Sequence, residues 1–209
     1  MEKQLSHLLA IKKPDLEPII KMCLDHGPFR DELVDNLAEK NETLRYNSFL
    51  VLNSIAESQP GLLYHYWDTF VYYLKSEKVL QVLVGIELIS RLIAADTDNR
   101  FEEIADYYFD IINRPNVIPI RYLILNCWRI GKSRPQYILQ IRNLIFSIDG
   151  INQEHKGLLK GDGILAFAQL WDQLKDKQEI IDFVKDQLDS ESPKTIKEAK
   201  KFLKERSID

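Results

Sequence analysis

Cysteine, glycine and proline are all scarce in this chain of 209 residues, at two, eight and eight copies. So few cysteines exclude a disulfide-stapled scaffold, and so little glycine and proline exclude a collagen-like or low-complexity disordered chain. Long hydrophobic runs are missing too. The longest uncharged stretch, Tyr46 to Ala56, falls far below the roughly 18 to 20 residues that a membrane-spanning helix needs. The opening MEKQLSHLLAIKKPD lacks the apolar core and small-residue cleavage site of a secretory signal, so a reducing cytoplasm is expected. There is no basic excess: 28 Lys and Arg against 32 Asp and Glu leave a net charge of −4. The overall field therefore does not draw the chain to phosphate backbones, and nucleic acid is a disfavoured partner.

What is present suits one compact domain, or at most two: 45% of residues are hydrophobic and 29% charged. Apolar residues recur with helical spacing almost everywhere. Phe49, Leu52 and Ile55 form one such set, and Ile180, Ile181, Val184 and Leu188 another. No segment alternates apolar and polar residues between Asn-Gly or Asp-Gly turns, so an all-α fold is expected. Pro14, Gly27-Pro28, Pro60-Gly61, Arg114-Pro115-Asn116, Ser133-Arg134-Pro135 and Ser192-Pro193 punctuate the chain, several of them at helix starts. The resulting helices are 3–11, 15–26, 28–40, 42–57, 60–75, 77–95, 99–113, 117–131, 135–148, 155–174, 176–189 and 193–206, with links so short that successive helices must be antiparallel neighbours. Cys23 and Cys127 fall in apolar helical patterns, where a thiol acts as a small core residue.

An internal repeat organises these helices. An apolar residue followed by a basic one opens every second helix at Leu44-Arg45, Ile120-Arg121, Leu159-Lys160 and Ile196-Lys197, separated by 76, 39 and 37 residues. The missing copy falls at Val82-Leu83, where an apolar residue replaces the basic one. A helix pair repeating about every 38 residues is the pattern of an α-solenoid, in which stacking supplies the core that no pair can build alone. Helices 77–95 and 117–131 are apolar nearly all round, as a unit with a neighbour on each side requires. Helix 193–206 keeps only Ile196, Ala199, Phe202 and Leu203 as an apolar face, which suits a terminal cap.

With this register the chain resembles a HEAT-like repeat protein. The resemblance is carried by NETLRYNSFLVLNSIAESQPGLLYHYWDTFVYYL (41–74), the Ile120-Arg121 and Leu159-Lys160 copies with their partner helices, and SPKTIKEAKKFLK at the C-terminal end. It implies an armadillo-like or HEAT-like superhelix of about five antiparallel helix pairs over 41–209, with 1–40 as a divergent first unit or cap. It also implies that the first helix of each pair lies on the convex face, that the second lines the concave face, and that the basic residue ties neighbouring turns together.

Chemistry-bearing motifs are sparse. His7, His26, His65 and His155 offer no pair four residues apart, so no helical metal pair exists, and Glu154-His155 is the one acid-histidine neighbour. HEAT-like diiron hydroxylases carry several such pairs. Neither a metal nor a cofactor is expected. The run Gly157-Leu158-Leu159-Lys160-Gly161-Asp162-Gly163 fits no phosphate-loop spacing and follows no strand; its glycines point to close packing or a kink, with local looseness. His65, Asp68 and Tyr72 share a helical face but have no nucleophile tied to them, so no catalytic residue is assigned and the chain is not expected to be an enzyme.

Removing the apolar stripe from each second helix leaves an outward set. These positions are His65, Asp68 and Tyr72; Glu103, Asp106 and Asp110; Gln140, Asn143 and Ser147; and Glu179, Asp182 and Asp186. Seven of the twelve are carboxylates and none is Lys or Arg. Such a row repels phosphate and attracts a basic segment, unless it is simply a solvated face. Among the crowded aromatics of Leu62 to Tyr73, Tyr72 and then Tyr64 are expected outside. On α-helix 193–206, Lys197, Lys200, Lys201 and Lys204 form a basic stripe.

The expected function is therefore a non-catalytic scaffold that binds a protein or peptide, basic in character, along its concave face. The alternative is a HEAT-like alkylpurine DNA glycosylase. That activity calls for an acidic residue beside an aromatic, available at Trp67-Asp68 and Trp171-Asp172, and for a basic groove, which the acidic row argues against.

Overall fold

The computed structural model describes residues 5–208. Within them the fold is all-α, with twelve α-helices and no strand among the described residues. The helices are α1 Ser6–Leu9, α2 Leu16–Asp25, α3 Gly27–Asn36, α4 Glu42–Ser58, α5 Trp67–Leu74, α6 Val79–Leu92, α7 Ala105–Asp110, α8 Val117–Ser133, α9 Ile138–Phe146, α10 Lys156–Leu170, α11 Lys177–Asp186 and α12 Pro193–Glu205. Each overlaps one of the twelve expected segments, but the expected helices 60–75 and 99–113 are broken into 3₁₀ turns and the shorter α5 and α7, and residues 3 and 4 of the first lie outside the described part. No described helix is long and apolar enough to cross a membrane.

Side chains cap four helices: Asp15 accepts from the Glu17 N–H ahead of α2 at 3.2 Å, Asn41 from Leu44 ahead of α4 at 3.1 Å, Asn116 from Ile118 ahead of α8 at 2.9 Å and Ser192 from Thr195 ahead of α12 at 3.4 Å, whereas α6 and α10 have none. The shorter α5, α7, α9 and α11 have no side-chain cap. Their ends tighten into 3₁₀ turns instead, at Tyr64–Tyr66, Arg100–Glu103, Pro135–Tyr137 and Gln187–Asp189 among others.

Two rows of helices follow chain order. α4 packs on α6, α6 on α8, α8 on α10 and α10 on α12. The short helices follow each other through side chains: the Tyr137 ring meets Phe101 at 5.3 Å, and Phe146 ahead of α10 meets Phe183 of α11 at 5.4 Å. α1, α2 and α3 pack on α4. The 38-residue period is written in the hydrogen bonds between units. Asn47 donates to the Leu9 carbonyl at 2.8 Å, Arg114 to Ser76 at 3.3 Å, Gln153 to Pro115 at 3.1 Å, Thr195 to Gly157 at 2.7 Å and Arg206 to Ala168 at 3.2 Å, and Arg134 donates to Asp96. Every one of these pairs is 38 residues apart. Most of these side chains fill a carbonyl left open at a helix C-terminal end or in a loop of the preceding unit, an acceptor that helix geometry alone cannot satisfy, while Thr195 adds a bond to the Gly157 carbonyl in the first turn of α10.

The basic residue of the apolar-basic motif has a narrower role than its resemblance implied. Arg121 does reach the next unit, pairing with the fully buried Asp162 at 2.7 Å, where Lys194 joins at 3.1 Å. Arg45, however, donates to the Glu39 carbonyl, and Lys160 pairs with Asp149 just ahead of its own helix. The ties between units come instead from Asn47, Arg114, Arg134, Gln153, Thr195 and Arg206.

Glycine sets the tightest approaches. A Cβ on Gly85 of α6 would stand 2.5 Å from the Leu74 backbone nitrogen of α5, and one on Gly163 would stand 2.6 Å from Ile145. Gly161 meets Thr195 of α12 in the same way. The glycines of α10 thus admit neighbours, as their spacing suggested, but they do not loosen the helix, which runs unbroken from Lys156 to Leu170. Gly61 faces open space. Glycine to alanine inside a helix ordinarily stabilises by about 1 kcal/mol. Gly85→Ala should instead lower the unfolding free energy by roughly 1–3 kcal/mol, because backbone must move, while Gly61→Ala stays within about 0.5 kcal/mol of the parent. Urea denaturation of both variants reads the contrast.

Cys23 and Cys127 are free and fully buried. Burial pushes each thiol up to about 12; at Cys23 the Arg30 charge opposes that rise and Glu32 adds to it, and at Cys127 backbone hydrogen bonds oppose it. Burial likewise raises the Tyr108 phenol. Because the unfolded chain releases these protons first, stability is lost as pH rises through the unfolded thiol value near 8.5. Each thiol then removes about 1.4 kcal/mol per pH unit, and Cys127→Ala should flatten the alkaline slope of the urea midpoint. At pH 8 neither thiol should react with an aromatic disulfide reagent until denaturant is added.

Candidate functional site: the acidic row on the short helices

All twelve outward positions are exposed. Asp68 and Tyr72 lie on α5, Asp106 and Asp110 on α7, Gln140 and Asn143 on α9, and Glu179, Asp182 and Asp186 on α11; His65, Glu103 and Ser147 sit in the adjoining 3₁₀ turns. Helical geometry forces this outcome, since the alternate positions are consumed by the core. Leu63, Phe70 and Tyr73 are buried in one unit and Ile141, Ile145 and Ile148 in another. Tyr72, at 72% exposure, is the most open large hydrophobic side chain described.

Tyr64 does not join it. Its ring is half buried and its hydroxyl donates to Asp96 at 2.7 Å; burial first, and then the Asp96 hydrogen bond and charge, push the phenol up to about 12. Asp96 is itself buried and accepts from the Arg100 and Phe101 N–H groups at 2.9 and 3.0 Å, so it caps the turn that presents Glu103.

The row is less uniformly negative than its twelve positions suggest. Arg100 pairs with Asp68 while lying 5.7 Å over the Trp67 ring, and Arg142 pairs with Glu179 at 3.1 Å and with Asp176 at 3.9 Å. Asp110 accepts from Asn113, and Asp182 from Gln178, each at 2.8 Å. Glu102, Glu103, Asp106 and Asp186 have no cationic partner among the described residues. The negative focus is therefore the α7 unit, where Glu102, Glu103 and Asp106 lie within five residues and all are exposed. Sequence reasoning missed both arginines because they lie beside the outward positions and not on them. Arg142 and Glu179 are nonetheless 37 residues apart, about one repeat, which is the signal that would have paired them.

No three His, Cys, Asp or Glu side chains come together to hold a metal ion among the described residues. His65 lies against the Tyr66 ring at 3.8 Å, and the other three histidines lie on different elements. The two aromatic-acid pairs differ from what a base-binding pocket needs. Trp67 is buried, and Trp171 is covered by Lys177 at 4.7 Å and Arg206 at 5.1 Å.

On the long-helix side a second polar cluster ties three helices. Glu57 of α4 pairs with Arg91 of α6 at 3.1 Å and with Arg129 of α8 at 2.8 Å, while Glu87 pairs with Arg91 and accepts from Asn126 at 3.4 Å. Burial alone would raise the Glu57 carboxyl, but the Arg129 hydrogen bond and charge, with the Arg91 charge, hold it below the ordinary range. Every acid in this cluster has its base, so the cluster is a clamp and offers no free charge to a ligand.

No protein-family model, curated protein or solved structure matches this chain.

Proposed function

We propose that the chain is a non-catalytic HEAT-like scaffold, an α-solenoid of about five helix pairs, whose short-helix face forms the concave surface and captures a Lys- or Arg-rich protein segment. Support for the solenoid comes from two helix rows in chain order, joined by hydrogen bonds at a constant offset of 38 residues. Support for the partner's chemistry rests chiefly on one observation: the exposed carboxylates Glu102, Glu103 and Asp106 stand together without a cationic partner on the second of the row's four units. Unpaired carboxylates in a shared field accelerate encounter with a basic segment and repel phosphate. His65, Asp68, Tyr72, Asp110, Glu179, Asp182 and Asp186 extend the contact on both sides, and Tyr72 supplies a ring for an aliphatic stem or a cation. The glycosylase alternative draws no support from a buried Trp67 or from a Trp171 already covered by two cations.

The test is fluorescence anisotropy with a short labelled Lys/Arg-rich peptide, a Glu-rich peptide and single-stranded DNA as probes. The basic peptide should bind, with affinity falling steeply as salt rises, and the other two should not. The triple variant Glu103→Lys, Asp106→Lys, Asp110→Lys should fold as the parent does by circular dichroism and weaken the basic peptide by at least about tenfold. Equal binding of the basic and acidic peptides, or capture unchanged in the triple variant, overturns the assignment.

A further inference from the structure

The long helices hold a concavity that the acidic row does not involve. Between the first turns of α4 and α6 lies a groove of about 710 Å³, a size that suits a small amphiphile. Its lining comes from α4, α5, α6, α8 and the residues after α3, so it is a concavity with a floor and more than a trough between two helices. Leu37, Tyr73, Leu83 and Val84 make that floor and are all buried. Tyr46 and Leu80 stand on the rim at 60% and 59% exposure, where a solvated helix face would ordinarily carry polar residues.

Three charged side chains line the groove: Arg45, Lys78 and Glu42. Elsewhere on the long helices Arg91, Arg121, Arg129 and Lys160 each pair with a carboxylate. Arg45 and Lys78 have no such partner among the described residues. Arg45 gives one guanidinium N–H to the Glu39 carbonyl at 2.9 Å, and the Lys78 side chain is exposed. The two cations therefore outnumber the single carboxylate of Glu42. α6 also begins at this groove without a side-chain cap, so the partial positive charge of its N-terminus adds to the same sign. An apolar floor with an excess of positive charge in its lining calls for the reverse arrangement in a ligand: an apolar body and one anionic head. A cationic or uncharged ligand would leave that excess unmatched.

We propose that this groove binds a single-chain amphiphilic carboxylate. Its apolar body lies on Tyr73, Leu83 and Val84 between Tyr46 and Leu80, and its carboxylate is drawn to Lys78 and Arg45. The apolar contact supplies the affinity, and the two cations select the sign of the head and orient it. The inference does not depend on the acidic row, which lies on the short helices.

Isothermal titration calorimetry and amide-shift mapping of the full chain with decanoate test it, with decylammonium as the comparison. Decanoate should bind with a dissociation constant below about 1 mM, bind more weakly as salt rises, and shift the amide resonances of Tyr46, Leu80 and Val84. Decylammonium should bind at least about fivefold more weakly. Lys78→Glu should weaken decanoate by at least about fivefold and reverse the preference between the two amphiphiles, and Glu42→Gln should tighten decanoate. Lys200→Glu, on α12 and equally open to solvent, should leave both unchanged. Val84→Trp fills the floor and should abolish binding of either amphiphile. Circular dichroism reports the fold of each variant, and the exposed Lys78→Glu change keeps the test usable if Val84→Trp disturbs the helix. Decanoate that does not saturate or whose shifts miss the groove, decylammonium that binds as tightly, or a Lys78→Glu effect no larger than that of Lys200→Glu overturns the proposal. So does a groove that takes an acidic amphipathic peptide but not decanoate, since its occupant is then a protein segment.

Discussion

Sealing of each long helix by the next one is the constraint on which the rest of this structure depends. α6 illustrates it: eight consecutive residues from Val82 to Ile89 contain only one, Glu87, that is not buried, and α4, α5 and α8 must all be present to cover them. No isolated helix pair could hide such a surface, since fully burying each large aliphatic side chain is worth about 1.5–3 kcal/mol that would otherwise be lost to water. Hydrophobic burial is non-directional, however, and would tolerate sliding of one unit along the next. The side-chain hydrogen bonds to carbonyls one repeat earlier remove that freedom. Thr195 to Gly157 and Arg114 to Ser76 fix rotation and register where apolar packing fixes only proximity.

The same division explains what could be read from the sequence. Helix positions, the repeat length and the outward set on the short helices all follow from apolar spacing, and each is a property of a segment or of two segments compared. Partner choice is a property of side-chain reach, and there the sequence was silent or misleading. The motif residues Arg45, Arg121 and Lys160 are equivalent by position but go to three different kinds of partner, because what surrounds them differs: a loop carbonyl, a buried carboxylate and an exposed one. Tyr64 went astray for a related reason. Its place among six aromatics suggested surplus, but Asp96, a residue far along the chain, supplies the acceptor that lets the hydroxyl turn inward. The groove on the long helices was also out of reach, since Tyr46 and Leu80 read as ordinary members of apolar helical patterns until the neighbours that fail to cover them are known.

Arg100 and Arg142 change the meaning of the acidic row. Seven carboxylates in a row would repel one another, and a face with no cation of its own would be costly to assemble at low salt. The two arginines relieve that repulsion at Asp68 and Glu179 and leave it undiminished at Glu103 and Asp106. Relief therefore falls on Asp68 and Glu179, while the densest unpaired charge stands on the α7 unit and Asp186 adds a single unpaired carboxylate on α11. A basic segment approaching the face would meet its strongest field on the α7 unit and weaker fields on either side. Arginine is suited to that flanking position, because its guanidinium can stack on Trp67 while it pairs with Asp68, keeping an ion pair in place that in water would contribute little.

The two faces are also built to differ in how they would hold a partner. On the short helices the free groups are charges, which act at a distance, respond to salt and mainly govern encounter. On the long helices the free groups are Tyr46, Leu80 and Ile118, which act at contact and govern residence once desolvated. The clamp of Glu57, Arg91 and Arg129 joins α4, α6 and α8 at the ends away from Tyr46, Leu80 and Ile118, so the apolar residues and the charge network occupy different parts of the same helices. Because the repeat sets equivalent residues one unit apart, like residues can recur along a face: Tyr46, Val84 and Tyr122 on α4, α6 and α8, and acidic residues on α5, α7 and α11 but not on α9, which presents Gln140, Asn143 and Ser147. Repetition thus does for recognition what it does for the core: it turns a local choice of residue into a continuous face.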